Sequence, residues 1–322
     1  MGEFELIRQY FAAAPCAQPG EGVALGIGDD CALLELAADQ QLAVSTDTLV
    51  NGVHFPDGAD PFLLGMRGLA VSVSDLAAMG ATPLGFTLAL TLPQADASWL
   101  EAFASGLERM AAQCGIRLVG GDTTRGPLSL TFTVFGRVPR GQALTRAGAQ
   151  VGDLLCVGGA LGDAAGALPL VLGSSVAAPA IAEPLLARYW SPEPQLALGQ
   201  ALLGKATSAL DISDGLLADC GHISGASRVK LSIEQSRVPL SNALLALCGE
   251  AQARVCALSG GDDYRLAFTL PADAVGPLQA QGFSVHVVGR VEAGTGVDLL
   301  DEHGQCIQPP ARGYQHFGSR GD

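Results

Sequence analysis

Lysine is almost absent from this chain of 322 residues, in which it occurs only at Lys205 and Lys230. With a formal net charge of −14, the protein lacks the excess of basic residues on which general nucleic-acid binding depends. Neither lysine follows a glycine-rich loop, which excludes a Walker A phosphate loop. We therefore expect no nucleic-acid partner. Any phosphate that the protein handles would have to be neutralised by metal ions and a few arginines.

Paired cysteines and long apolar runs are missing as well. The eight cysteines are scattered without a Cys-x-x-Cys spacing, which is typical of small buried hydrophobic residues and not of zinc ligands or structural disulfides. No apolar run reaches the roughly 18–20 residues of a transmembrane helix. The first residues, Met-Gly-Glu-Phe-Glu-Leu, lack the basic-then-apolar order of a signal peptide. We predict a cytoplasmic protein that does not contact membranes.

The composition is that of a folded protein with two domains. Hydrophobic residues make up 48% of the chain, which is enough for two cores. Strand and helix patterns occur in both halves, so we predict the α/β class, of the α+β type, with two mixed α/β domains. Proline and glycine interrupt the pattern after residue 138. The predicted boundaries are 1–138 for the first domain, 139–148 for a linker and 149–322 for the second.

Three elements have clear local signals. Residues 128–138 alternate between polar and apolar side chains and predict a strand, whereas 97–114 carry an apolar stripe of helical period. A further helix is predicted to begin at Asp60, which can cap it before a proline in its first turn. The helical spacing of its apolar residues predicts that Phe62 faces the core.

Other elements are predicted from shorter patterns. A strand at 41–46 is expected to stop before Asp47, and a short strand at 116–119 is expected to lead into a loop at 120–122. In the second half, residues 173–184 are predicted as a loop of small residues and 241–247 as a short helix.

Six acidic segments are the most distinctive feature, because each places Asp beside Gly, Ser or Thr. They are Gly26-Ile27-Gly28-Asp29-Asp30, Ser45-Thr46-Asp47-Thr48, Val73-Ser74-Asp75, Gly120-Gly121-Asp122-Thr123-Thr124, Asp211-Ile212-Ser213-Asp214-Gly215 and Gly260-Gly261-Asp262-Asp263. One such segment alone is typical of a turn. Six together predict a site for divalent metal, since gathered carboxylates repel one another unless cations neutralise them. Mg²⁺ prefers such oxygen ligands.

Four further features admit two interpretations each. The paired glycines of 120–126 could let backbone N–H groups approach a phosphate, or could close a turn. Arg146 suits a phosphate clamp or a solvated surface. His54 could contact substrate or be structural. Tyr314 could stack on a flat heterocycle or fill a core.

The motifs resemble those of the thiamine-monophosphate kinase family, within the metal-dependent ATP-binding superfamily of aminoimidazole ribonucleotide synthetase. They span nearly the whole chain in the family's order. The matching motifs are Gly-Ile-Gly-Asp-Asp-Cys-Ala (26–32), Ser-Thr-Asp-Thr-Leu-Val (45–50), Val-Ser-Asp-Leu-Ala-Ala-Met-Gly-Ala (73–81), Gly-Gly-Asp-Thr-Thr-Arg-Gly (120–126), Leu-Thr-Arg-Ala-Gly (144–148), Asp-Ile-Ser-Asp-Gly-Leu (211–216), Ser-Gly-Gly-Asp-Asp-Tyr (259–264) and Gly-Tyr-x-His-Phe (313–317).

The resemblance implies a role for each matching position. Several Mg²⁺ ions would be held at Asp30, Ser45, Thr46, Asp47, Asp75, Asp122, Asp211 and Asp214. ATP would be contacted by Gly121, Asp122, Arg146 and Ser213. Thiamine monophosphate would be positioned by His54, Asp262 and Tyr314. The residues assigned to catalysis are Asp47, Asp122 and Asp211.

The resemblance also implies an activity and an assembly. The activity is ATP- and Mg²⁺-dependent phosphorylation of thiamine monophosphate to thiamine diphosphate, by direct in-line transfer of the γ-phosphoryl group. The expected partners are these two substrates and a second copy of the chain, with the N-terminal sheet pairing across a homodimer and the C-terminal sheet covered by helices. This chain departs from the family at Asp262, where Glu is frequent, so a carboxylate that is one methylene shorter would face the substrate.

Three alternatives, two of them enzymes of the same superfamily, are distinguished by sequence features. Selenophosphate synthetase, of the same superfamily, uses a Cys or selenocysteine in a glycine-rich loop, whereas Cys16 lies in Ala-Pro-Cys-Ala. The hydrogenase-maturation member needs a C-terminal Cys, whereas this sequence ends Ser-Arg-Gly-Asp. A non-enzymatic metal- or nucleotide-binding module would bind without turnover, but a simple oxygen-ligand metal site does not need six dispersed loops.

Overall fold

The computed structural model describes residues 3–18 and 20–309, and the chain divides into two compact units of mixed α/β structure. The first unit comprises Met1–Ala143 and Trp190–Leu196, and the second comprises Leu144–Tyr189 and Ala197–Asp322. The division after Ala143 falls inside the segment 139–148. The return of Trp190–Leu196 to the first unit was not indicated by the sequence.

The first unit is built around a four-stranded sheet. The strands of the whole unit are β1 (Val23–Leu25), β2 (Leu33–Leu34), β3 (Gln40–Val50), β4 (Thr82–Leu92), β5 (Arg117–Arg125) and β6 (Ser129–Pro139). Its helices are α1 (Glu3–Leu6), which continues as a π-helical turn (Ile7–Ala12), α2 (Pro61–Ala78) and α3 (Ala97–Cys114). The sheet order is β3-β6-β4-β5, antiparallel except between β4 and β5, and β1 pairs with β2 separately.

Helix α2 packs on one face of this sheet, and α3 packs on α2. The cause is the predicted alternation of β6, whose residues Leu130, Phe132 and Val134 are buried while those between them are half-buried on the opposite face. Burial of one apolar face against a helix is the usual way in which such a sheet is stabilised. The four-stranded sheet therefore has one covered face and one open face.

Helix α2 begins where the sequence predicts, because the Asp60 carboxylate accepts hydrogen bonds from the first free backbone N–H groups, those of Phe62 and Leu63. The prediction that Phe62 faces the core is wrong, since this side chain is 37% exposed. It lies in the first turn, beyond the edge of the packed stripe. By length and composition α2 could also cross a membrane, but it is mostly buried within the fold and carries Arg67 and Asp75.

Two strands extend further than predicted. Strand β3 does not stop before Asp47, because its backbone pairs with β6 continuously as far as Val50. Strand β5 does not end at Val119, because residues 120–122 continue its parallel pairing with β4. The two glycines therefore lie inside an edge strand and not in a loop that follows one. Backbone pairing outweighed the low strand propensity of glycine here.

The second unit contains a seven-stranded sheet of order β13-β12-β9-β11-β7-β10-β8, antiparallel except between β9 and β12. Its strands are β7 (Leu154–Val157), β8 (Ser208–Asp211), β9 (Lys230–Glu234), β10 (Leu266–Leu270), β11 (His286–Glu292), β12 (Gly296–Leu300) and β13 (Cys306–Ile307). The accompanying helices are α4 (Asp163–Val171), α5 (Pro179–Trp190), α6 (Leu196–Leu202), α7 (Leu216–Ser227), α8 (Asn242–Ser259) and α9 (Ala272–Ala280).

Two segments of the second unit differ from their prediction. The predicted loop at 173–184 ends early, since helix α5 begins at Pro179, a residue that suits a first helical turn. The predicted helix at 241–247 extends to Ser259 as α8, although Gly249, with φ 73°, interrupts it. In both cases glycine and proline do not end the element, because alanine-rich sequence on their far side continues or starts a helix.

We predict that Gly106→Ala destabilises the first unit by about 1–3 kcal/mol, the usual range for overpacking. A Cβ atom at Gly106 in α3 would lie 1.9 Å from the backbone oxygen of Phe62 in α2, so the two helices would have to separate. Gly221→Ala in α7 is the matched control, because a Cβ there meets nothing within 4 Å and should be neutral or stabilising. Urea denaturation of both variants measures the difference. Equal stabilities would contradict this account of the α2–α3 contact.

Candidate active site

A cavity of about 870 Å³ in the first unit brings two of the acidic segments together. Residues 26–32, between β1 and β2, form part of its lining, and residues 118–123 of β5 form another part. The π-helical turn adds Ile7, Arg8, Phe11 and Ala12. The cavity therefore combines apolar side chains with the predicted site residues Asp30, Gly121 and Asp122.

Gly121 is required where β5 passes β4. Its φ is 154°, and a Cβ atom would lie 2.0 Å from the backbone oxygen of Leu88, so no other residue fits without a shift of the strand. The exposed side chain of Asp122 follows directly. Asp30 is also exposed, and its backbone N–H donates to the Asp29 carboxylate at 2.8 Å. Asp29 thus holds the turn, while the carboxylate of Asp30 is presented at the cavity.

A second acidic group lies between β3 and α2. Ser45 and Asp47 share the covered face of β3, and the Ser45 hydroxyl donates a short hydrogen bond to the carboxylate of Asp75 in α2. Burial, followed by the negative charge of Asp75, raises the pKa of Asp47 to about 6, although a hydrogen bond with Ser72 opposes the rise. The two carboxylates therefore repel each other in the absence of a cation.

The oxygen atoms of this group fit a divalent cation, since they are hard ligands and carry excess negative charge. The Thr46 side chain does not join them. It points to the open face of the sheet, where its hydroxyl shares a hydrogen bond of 3.0 Å with that of Thr133. Within residues 3–18 and 20–309, no three Asp, Glu, His or Cys side chains converge as a preformed metal centre.

In the second unit, the predicted residues Asp211, Ser213 and Asp214 occupy the end of β8 and the turn before α7. The Asp211 side chain is buried, that of Ser213 is exposed and that of Asp214 is half-buried. Sequence reasoning missed Asp219 in the first turn of α7. Burial raises its pKa to about 6, even though backbone hydrogen bonds from Asp214 and Gly215 lower it. Its position in a first helical turn was the available signal.

The segment 259–264 joins this turn through its backbone. The N–H of Asp262 donates to the Ser213 carbonyl at 2.9 Å, and that of Tyr264 donates to the Ile212 carbonyl at 2.8 Å. Asp262 and Tyr264 have positive φ values of 68° and 48°, which cost free energy for residues other than glycine and are often found at functional sites. The Tyr264 hydroxyl is 3.1 Å from the Asp262 carboxylate.

Asp263 was also missed as a candidate residue. One of its carboxylate oxygens accepts a hydrogen bond of 2.8 Å from the N–H of Gly162 at the start of α4. The other oxygen is buried and has no hydrogen-bond partner. Burial raises the pKa of Asp263 well above its usual value. This carboxyl group fastens the strained segment to α4.

Three predicted site residues remain, and the structure describes two of them, His54 and Arg146. His54 is half-buried, and its Nδ1 accepts a hydrogen bond of 3.0 Å from the N–H of Val50, which attaches it to the end of β3. Arg146 is exposed, and its carbonyl accepts a hydrogen bond from Ser227 at 3.0 Å. Tyr314 lies outside the described residues.

The sequence and the fold match a known class of proteins. Residues 28–138 match the family model described as AIR synthase related protein, N-terminal domain. The chain is 44% identical to the thiamine-monophosphate kinase of Escherichia coli (strain K12), with 99% of each chain covered. It is 34% identical to that of Caulobacter vibrioides, with 95% of this chain and 93% of the relative covered.

Solved structures agree with this assignment. The thiamine-monophosphate kinase of Stenotrophomonas maltophilia K279a superposes with a TM-score of 0.86 at 45% identity, covering 95% of this chain and 98% of that one. AaThiL complexed with AMPPCP and TMP superposes with a TM-score of 0.79 at 31% identity, covering 90% and 92%. The hydrogenase maturation protein HypE in complex with ATP, at 20% identity, shares the fold alone. The chain belongs to the thiamine-monophosphate kinase family and is an enzyme of the kinase class.

We predict that Asp263→Asn makes the protein more stable than wild type at pH 8, by about 2–4 °C in Tm for a change near 1 kcal/mol. A raised pKa means that the folded state holds the proton more tightly. The stability that Asp263 contributes is therefore complete below the unfolded pKa, near 4, and is lost as the pH rises toward the folded value. Asparagine keeps the acceptor for Gly162 and cannot ionise.

The measurement is thermal denaturation at pH 4.5 and pH 8, and the advantage of the variant should shrink at the lower pH. Asp301→Asn is the control of opposite sign, because backbone N–H groups of Gln305 and His303 lower the pKa of Asp301. That variant should not gain stability at pH 8. A Tm difference for Asp263→Asn that is the same at both pH values would contradict the prediction.

Proposed function

We propose that this enzyme transfers the γ-phosphoryl group of ATP directly to the phosphate of thiamine monophosphate, giving thiamine diphosphate and ADP in the biosynthesis of thiamine diphosphate. The observation that carries the proposal is the cavity of the first unit, which gathers Asp30, Gly121 and Asp122 around one space. The binding of AMPPCP and TMP by the relative AaThiL supports the choice of substrates.

The cavity is suited to a nucleotide. Its apolar residues Ile7 and Phe11 can pack against a base, while the exposed backbone at Gly121 lets a phosphate approach closely. Asp30 and Asp122 are carboxylates and would repel that phosphate unless cations lie between them. The chain has only two lysines that could neutralise this charge. The oxygen ligands of the site favour magnesium as the neutralising cation.

Magnesium ions would be held by oxygen ligands in both units. In the first unit these are Asp30, Ser45, Asp47, Asp75 and Asp122, with Thr46 able to contribute only a backbone oxygen. In the second unit they are Asp211 and Asp214. When bound there, Mg²⁺ would neutralise phosphate charge.

The protein residues position the reactants for in-line transfer. The acceptor oxygen of thiamine monophosphate is already anionic at neutral pH, so the mechanism assigns no general base and leaves His54 a positioning role. Arg146 pairs with phosphate oxygens, and the exposed Ser213 contacts ATP. Asp262 and Tyr314 orient the acceptor. The barrier is the approach of two charged phosphates, which positioning and charge neutralisation lower.

The first domain, 1–138, would also form a homodimer through its sheet. Its edge strand β3 carries Leu42 and Val44, which are 45% and 54% exposed. Thr46, Thr48 and their partners on β6 continue the open face. An edge strand with apolar side chains is a ready partner for a second copy. The second domain, 149–322, would supply Asp262 and Tyr314 to the acceptor, and the enzyme would act in the cytoplasm.

We predict that the purified protein releases ADP when given ATP, Mg²⁺ and thiamine monophosphate, and that thiamine diphosphate forms in equal amount. A coupled ADP assay and chromatographic detection of the product measure the two. EDTA should abolish both signals. ADP release that does not rise above the rate with ATP alone would refute the proposed function.

We further predict that Asp47→Asn and Asp122→Asn each lower kcat by about 100-fold or more, the usual effect of losing a charged group that acts on the transition state. Asp47→Asn should at the same time stabilise the metal-free protein, because it removes the repulsion from Asp75. Asp39→Asn, an exposed Asp of the same unit, is the control and should be silent. Near-normal turnover of either site variant would contradict the metal assignment.

A further inference from the structure

One buried carboxylate holds the turn that precedes α7. An oxygen of Asp219 accepts hydrogen bonds from three successive backbone N–H groups, those of Ser213 at 3.0 Å, Asp214 at 2.9 Å and Gly215 at 3.1 Å. The Asp219 residue is only 4% exposed. Hydrogen bonds to an ionised acceptor are the stronger kind, so this contact fixes the turn firmly.

The same N–H groups would otherwise form an anion site. Gly215 caps α7 and the other two residues precede it, and successive backbone N–H groups of such a turn, near the positive end of a helix dipole, can bind an anion. Here the protein's own carboxylate occupies them. The turn is thereby closed to a phosphate that would bind through backbone N–H groups.

The backbone of Ser213 is already engaged in hydrogen bonds, which limits the groups that this turn can offer a ligand. The N–H of Ser213 is engaged by Asp219, and its carbonyl accepts from the N–H of Asp262 at 2.9 Å. A ligand therefore meets Ser213 through its exposed hydroxyl. Asp214 presents a half-buried carboxylate beside it. Such oxygen groups suit a cation and the groups bound to it better than a bare anion.

We propose that Asp219 is a positioning residue for the metal-bound nucleotide, and that it acts by holding the Ser213 hydroxyl and the Asp214 carboxylate in one orientation. The inference rests on the proposed function, because it assigns ATP and Mg²⁺ to this turn. Asp219 itself does not touch the reactants. A carboxylate that only capped α7 would contribute stability and would leave ligand affinity unchanged.

The test compares Asp219→Ala and Asp219→Asn with Asp301→Ala. Asp301 is the matched control, because one of its oxygens accepts hydrogen bonds from the N–H groups of His303 and Gln305 at 2.8 and 2.9 Å. It holds its turn between β12 and β13, at the edge of the sheet opposite β8. Three quantities are measured: amide hydrogen exchange in peptides covering 211–216, calorimetric affinity for Mg²⁺–AMPPCP, and the KM values for ATP and thiamine monophosphate.

For Asp219→Ala we expect faster exchange of the 213–215 amides, an affinity for Mg²⁺–AMPPCP about tenfold lower, and a matching rise in the KM for ATP. The KM for thiamine monophosphate should change by less than about twofold. Asp219→Asn keeps a neutral acceptor and should lie between wild type and Asp219→Ala in both exchange and affinity. Asp301→Ala should leave nucleotide affinity and both KM values unchanged.

Faster exchange with unchanged nucleotide affinity would overturn the proposal and leave Asp219 a helix cap. If Asp219→Ala does not fold, Asp219→Asn decides by the same criterion, since its exchange and affinity must change together. Unchanged exchange in Asp219→Asn together with lowered affinity would also overturn the proposal. A wild-type protein that binds Mg²⁺–AMPPCP but does not turn over thiamine monophosphate would refute the proposed function. It would not refute the role of Asp219, because hydrogen exchange and nucleotide affinity still test that role.

Discussion

Repulsion between carboxylates is the constraint on which the acidic sites of this protein depend. Asp47 and Asp75 lie close enough for the charge of one to raise the pKa of the other, and the chain has only two lysines with which to offset such charge. Asp47 lies on the sheet and Asp75 lies in α2, which packs on that sheet, so the packing holds the two carboxylates near each other. Sites that bind cations commonly carry a cost of this kind in the empty protein.

The aspartate side chains of the acidic segments and their neighbours have two different structural environments. Asp30 and Asp122 are exposed at a cavity, whereas Asp219 is buried and Asp263 is half-buried with one carboxylate oxygen enclosed, and both accept hydrogen bonds from backbone N–H groups. The first kind can meet a ligand, and the second kind shapes the backbone beside it. Burial and hydrogen-bond partners separate the two kinds, although all four residues are Asp.

Sequence patterns predicted the parts of the fold that local signals determine. The alternation of β6, the period of α3 and the cap at Asp60 each depend on nearby residues, and the structure confirms them. The residues of the candidate site were predicted from short motifs and from the family resemblance, and their roles stay predictions. The sequence did not predict the course of β5 through Gly121, because that course depends on pairing with β4, which is distant in the chain. Nor could spacing alone reveal that the Thr46 hydroxyl lies on the face opposite Asp47, or that Asp263 reaches Gly162.

The hydrogen bonds from Asp262 and Tyr264 to the turn at 212–213 extend the pairing of β8 with β10 beyond the strands themselves. The turn assigned to the nucleotide and the segment assigned to the acceptor thus face each other at the same end of one ladder. An attempt to alter acceptor preference by grafting residues 259–264 from a relative would also shift the partner turn. The two segments should be exchanged as a single cassette, and they should tolerate variation in evolution mainly when they vary together.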